Sequence, residues 1–183
     1  MPAAPAQTRN VDARTSMKLV VAAHDLGGST VVAAVAFDEW DAGEASRAFD
    51  FRVSSVDPPV RGPRGTAELA AVLQLLREHT LEPEVIVIDG PVHLDAAEKP
   101  GCWRQLFDAL GGRSAVIGIS TGAMPGLPTQ FEVWRDDEAR PLIVTCMGID
   151  LGAAKARVRM MHGRRRVPTL MKLAARLARG GTG

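Results

Sequence analysis

Four carboxylates at the edges of apolar stretches are the residues of this chain best placed to do chemistry: Asp25, Glu68, Asp89 and Asp150. Asp25 closes the run Leu19-Val20-Val21-Ala22-Ala23-His24. Asp89 closes Val85-Ile86-Val87-Ile88 and is followed at once by Gly90. A charge at the tip of a buried strand stands where open α/β sheets bind their ligands. Carboxylates gathered in one cleft repel each other, and a divalent cation relieves that repulsion. The pattern predicts a metal-dependent site acting on phosphate esters. Each residue also has a purely structural explanation. Asp-Gly is a common turn pair, Glu68 in the first turn of a helix opposes the helix dipole, and Asp150 can cap a following helix.

The elements that must position these residues follow from apolar periodicity and breakers. Residues 18–23 read as a buried strand, Gly27-Gly28 as a turn, 30–37 as a second strand and 49–54 as an alternating third. A loop dense in Pro and Gly, 57–65, leads into a helix over 66–79 that Thr66 can cap, with Leu69, Val72, Leu73 and Leu76 inward. Pro83 separates it from a strand over 84–89. Residues 103–110 read as a helix stopped by Gly111-Gly112, and 115–119 as a short strand. A late strand pair, 131–134 and 142–146, flanks a turn at 135–140. Helices over 152–161 and 169–179 close the chain, with Gly163 and Pro168 between them. A meander followed by helical crossovers predicts an α/β fold with a ribonuclease H-like mixed sheet, an antiparallel three-strand meander plus parallel strands, flanked by helices. The first and fourth strands then lie side by side, which would make Asp25 and Asp89 neighbours.

With 183 residues the chain predicts one domain, 17–180, after an Ala- and Pro-rich disordered tail, 1–16. An apolar fraction of 46% and a charged fraction of 23% are ordinary for a soluble globular protein, and no apolar run is long enough to span a bilayer. The tail lacks an apolar signal-peptide core, and Cys102 and Cys146 stand far apart, so a reducing cytoplasm is expected. The net charge of +1 hides a polarity. From Leu151 onward there are nine basic residues (Lys155, Arg157, Arg159, Arg164, Arg165, Arg166, Lys172, Arg176, Arg179) and no acid; the remaining 13 bases face 21 acids. An acidic body with a basic end suits a polyanion-binding enzyme, or is simply a solvated pair of basic helices. Arg164-Arg165-Arg166 suit phosphate contacts, or a solvated turn. His93, four residues beyond Asp89, is placed to touch substrate or a metal-bound water. His24 points away from Asp25 if the strand is regular and reads as structural, and Trp103 reads as core.

Asp25-Leu26-Gly27-Gly28-Ser29 is similar to the first phosphate loop of sugar kinases in the actin-like superfamily. Such kinases need two copies of the fold and a second glycine-rich loop. This chain has room for one copy and lacks that loop, which argues against the kinase reading.

Taken in order, these residues resemble the endonuclease V family, nucleases that cut nucleic acid near deaminated adenine. The resemblance runs from Lys18 to Ala178. It is carried by Glu82-Pro83-Glu84-Val85-Ile86-Val87-Ile88-Asp89-Gly90, by Glu68 at the family's spacing upstream, by His24-Asp25-Leu26-Gly27, and by Pro141-Leu142-Ile143-Val144-Thr145 with Asp150 near the last acidic ligand. It implies Mg²⁺ or Mn²⁺ held by Asp25, Glu68, Asp89 and Asp150, with His93 nearby. It also implies nucleic acid, DNA or RNA, contacted by Arg61, Arg64, Thr121, Lys155, Arg164, Arg165 and Arg166. A monomer is favoured and no membrane is involved. Two parts of the family pattern are missing. Pro59 stands where the family's wedge loop has Tyr, and the chain has no Tyr; Thr121 stands where the family has a Lys facing the scissile phosphate. Losing such a cation costs roughly 10²–10³ in rate. The expected function is thus a metal-dependent endonuclease acting on inosine-containing DNA or RNA. The alternative is a noncatalytic or repurposed paralogue that binds nucleic acid or a nucleotide-like molecule.

Overall fold

The computed structural model describes residues 17–54, 66–135 and 139–180. The tail, the wedge-loop position, Arg61 and Arg64 lie outside the described residues. Seven strands form one mixed sheet: β1 Lys18–Asp25, β2 Ser29–Phe37, β3 Arg47–Ser54, β4 Val85–Asp89, β5 Ala115–Ser120, β6 Glu132–Val133 and β7 Leu142–Met147. Their order is β3-β2-β1-β4-β5-β7-β6. The first three strands are an antiparallel meander, and β1, β4 and β5 run parallel. This is the expected mixed sheet, with the first and fourth strands adjacent. The late strand enters antiparallel to β5 and separates it from β6. The β1–β2 ladder runs unbroken to the pair Asp25↔Thr30, so β1 extends two residues beyond the run expected for it.

Helices α1 Thr66–Glu78 and α2 Arg104–Ala109 cover one face of the sheet; α3 Leu151–Met160 and α4 Thr169–Ala178 cover the other. Leu19, Val21, Ile86 and Ile88 pack towards Val72, Leu75 and Leu106, whereas Val20, Val85, Val87 and Ile117 pack towards Val158, Leu170 and Ala174. Burial on both faces explains why β1 and β4 are continuous apolar runs rather than alternating ones. It also means that successive residues of β1 and β4 belong to different helical layers.

The second layer is tied down by a cation. Arg135 is 5% exposed and sits just past β6. Its guanidinium donates to the carbonyls of Val158 (2.7 Å), Met161 (2.9 Å), Gly163 (2.9 Å) and Arg165 (3.3 Å). Those oxygens are the acceptors left over at the carboxyl end of α3 and in the bend to α4. Arg166 clasps the same region, donating to the carbonyls of Thr121 and Pro141. Among the described residues no helix is long and apolar enough to cross a membrane.

Candidate functional site

Parallel pairing of β1 with β4 runs from Lys18↔Val85 to Val21↔Ile88 and ends there, with Ala22 and Asp89 the next residue along each strand. Continued alternation past the end of the ladder puts both on the side of the α3–α4 layer. Asp25 lies three residues further along β1. By alternation it faces the α1 layer, roughly 10 Å beyond the level of Asp89. Its carboxylate accepts from the Gly27 amide at 2.9 Å and closes the β1–β2 turn. The sequence placed Asp25 and Asp89 in one pocket; Asp89 lines the strand-tip cleft, and Asp25 is not among its lining residues. Strand adjacency was anticipated, but the phase along the strands was not visible in an unbroken apolar run.

Asp150 is a second correction. Because β7 is antiparallel to β5, Met147 lies level with Val116, whereas Asp89 lies level with Ile119. Asp150 therefore leaves the sheet at the opposite end, more than roughly 10 Å from Asp89. Its carboxylate caps α3 by accepting from the Ala153 amide at 3.2 Å. His93 is a third. It is 4% exposed, and its Nε2 donates to the Cys146 carbonyl at 3.1 Å, which leaves Nδ1 as a buried acceptor without a partner. Its loop is pinned over β5 and β7 by the Val92 amide donating to Thr145 Oγ1 at 2.9 Å. Glycine at 118 permits that crossing, since a Cβ there would overlap the Gly90 carbonyl oxygen.

Glu68 is half-buried in the first turn of α1. The thiol of Cys102 links it to Asp89: burial raises the thiol pKa first, and the charges of Glu68 and Asp89 add to the rise, with backbone N–H groups opposing it. Both carboxylates thus act on the space around Cys102. Cys146 is pushed up to about 11 by burial, with Asp150 and Glu98 contributing, so it is a protonated structural thiol.

Asp89 itself opens into a cleft of about 890 Å³ bounded by β1, the tip of β4, Thr121 and α4. The indole Nε1 of Trp103 donates to the Asp89 carbonyl at 2.8 Å, and the Gly90 amide donates to the Ile119 carbonyl at 3.0 Å, so the backbone beneath the carboxylate is held from two sides. Its apolar lining comes from Val20, Val21, Ala22, Ala23 and Ile88 of the two strands, from Trp103, and from Val167, Met171, Ala175 and Ala178, and His24 lines it too. Lys172, Arg176 and Arg179 stand along the α4 side at i, i+4 and i+7, one face of the helix. His24, read from sequence as structural, is on the cleft's side of β1. The three α4 cations were visible only as part of a basic end. Lys155, by contrast, donates to the Gln130 carbonyl at 2.6 Å and Arg166 to Thr121 and Pro141, so both bind backbone rather than facing the cleft. Arg164 and Arg165 are exposed and do not line it.

A carboxylate cage does not fit here. Divalent oxygen-ligand sites take several donors, and Asp89 is the one carboxylate among the residues that line the cleft. Among the described residues no three His, Cys, Asp or Glu side chains come together closely enough to hold a metal ion.

Partial loss of water around the Asp89 carboxyl raises its pKa. The ionised group therefore costs the fold stability once the pH passes the folded pKa, and that cost is absent below the ordinary carboxylate pKa. Asp89→Asn should melt above the wild type at neutral pH, with the gap closing on acidification through that window in calorimetry. Equal melting temperatures at neutral pH would contradict a desolvated carboxylate.

The fold is a ribonuclease H-like α/β arrangement, with a cleft at the tips of its parallel strands. In structural comparison the chain has the fold of endonuclease V. The Bacillus subtilis enzyme superposes with a TM-score of 0.71 at 18% identity, over 90% of this chain and 80% of that one. A Ciona intestinalis endonuclease V, bound to a 23mer DNA containing an inosine followed by a ribo-adenosine, gives 0.68 at 16% identity, over 92% and 86%. Human ENDOV gives 0.62 at 18%, over 91% and 84%. No protein-family model and no curated protein sequence matches the chain.

Proposed function

We propose that this chain is a nucleic-acid-binding protein on the endonuclease V fold, in which the strand-tip cleft binds polyanion without a resident metal. The observation that carries this reading is Ala22, the β1 residue next to Asp89 just past the end of the β1–β4 ladder, where a metal-bridging pair would need a second acid. The basic side of the cleft on α4 supports the choice of a polyanion. So does the likeness to a fold whose Ciona representative holds inosine-containing DNA.

Anisotropy titrations of plain and inosine-containing single strands should give binding that is the same in EDTA, Mg²⁺ and Mn²⁺ and falls steeply with salt. Each phosphate contact contributes a log–log slope of about −0.7 on single strands. Absence of binding at low salt overturns the reading.

One observation favours a second reading. The charges of Glu68 and Asp89 both raise the pKa of the Cys102 thiol, which puts two carboxylates in the neighbourhood of one side chain, and metal-dependent cutting is the chemistry such a pair would support. Mn²⁺-dependent cleavage of an inosine strand that is lost in both Glu68→Gln and Asp89→Asn would establish that reading and displace the first.

A further inference from the structure

The cleft beside Asp89 has the dimensions and polarity of a small-molecule site rather than of a groove that tracks a long strand. Its volume of about 890 Å³ lies in the range of roughly 300–1,000 Å³ found for such sites. The cations on its α4 side span seven residues, about 10 Å of helix, enough for one or two phosphates and no more. Among the described residues Lys172, Arg176 and Arg179 form no ion pair or side-chain hydrogen bond, so their charges remain available. The lining also has an apolar part, from Val20, Ala22 and Ala23 of β1 and from Val167 and Met171 beside the cations, that suits a flat ring. At the strand tips, Thr121 and His24 present side chains with hydrogen-bonding capacity, and Asp89 is an acceptor for sugar hydroxyls or base N–H groups. Arg166 holds the Thr121 carbonyl without entering the cleft, which sets the position of that corner.

We propose that this cleft seats one nucleoside 5′-monophosphate, with its phosphate on Lys172, Arg176 and Arg179 and its nucleoside against the β1 wall, without a metal ion. The seat deepens the nucleic-acid reading above and rests on it for the choice of ligand. The shared chemistry has two sources, a free nucleotide and the phosphorylated end of a strand.

Calorimetric titration of the full chain in EDTA with adenosine and guanosine 5′-monophosphates tests the seat. Short oligonucleotides with and without a 5′-phosphate separate the two sources. Saturable mononucleotide binding is expected, with Arg176→Gln weakening it about tenfold and the three cations replaced together abolishing it, as for hydrogen bonds to charged groups. Arg77→Gln, on α1 and outside this cleft, should change nothing. These cations are exposed, so the variants should melt as the wild type does. Binding of the phosphorylated oligonucleotide without binding of free nucleotide assigns the seat to strand ends; the reverse assigns it to free nucleotides. If the triple variant, folded, keeps full affinity, or if the wild type binds strands but neither mononucleotide nor a 5′-phosphate selectively, the seat is rejected and the nucleic-acid reading stands. If nothing nucleic binds, both fall.

Discussion

Ala22→Asp should confer a divalent-metal response larger than that of the wild type. The substitution sets a carboxylate beside Asp89 just past the end of the β1–β4 ladder, within a cleft that holds no other carboxylate and carries Lys172, Arg176 and Arg179 on its α4 side. In EDTA the two acids should repel and lose hydration together, lowering stability by about 1–3 kcal/mol. Adding Mn²⁺ should reverse the sign. At a hundredfold excess over Kd, binding to the folded state alone contributes about 2.7 kcal/mol, which for a chain of this size is roughly 5–10 °C in melting temperature. The wild type should move little in the same titration. Differential scanning fluorimetry with and without Mn²⁺ measures both limbs. A variant no more responsive to Mn²⁺ than the wild type would show that Ala22 does not face Asp89, and the account of the cleft would have to be redrawn.

The second large effect is structural and reaches the cleft indirectly. Arg135→Leu removes a buried guanidinium that donates to four backbone carbonyls around the carboxyl end of α3 and the bend to α4. Leucine fills part of the volume but leaves those oxygens in a place water reaches poorly, where each lost bond to a charged donor is costly. A loss of about 3–5 kcal/mol is expected in urea unfolding, among the largest for any single change here. α4 carries Lys172, Arg176 and Arg179, so at temperatures where the variant is folded its affinity for single strands should also fall. Stability within about 1 kcal/mol of wild type would mean that water replaces the guanidinium and that the bend is held by other contacts.

Much of the architecture was legible because it depends on local pattern. The apolar runs at β1 and β4, the breakers around Pro83 and the heptad-like spacing in α1 each report a local preference that the folded chain keeps. The order of elements then restricted the topology to a meander with right-handed crossovers, and the sheet order follows it. Asp89 as the tip of a buried strand came from the same logic. The seven-strand sheet nevertheless includes one pairing that order alone did not supply, β7 antiparallel to β5, and that single reversal carries Asp150 to the wrong end for a shared site.

The amino-acid order therefore specified which segments become strands and helices and which strands lie together, because burial on two faces and the chemistry of turns are written into nearest neighbours. Register was left to the folded chain. In a strand whose two faces are equally apolar, shifting the phase leaves the hydrophobic pattern unchanged, so nothing local states that Val21 is the residue paired with Ile88. The basic end behaved likewise: its charge was plain to see, but packing of α4 across β1 and β2 selected Lys172, Arg176 and Arg179 for the cleft, while backbone carbonyls took up Lys155 and Arg166.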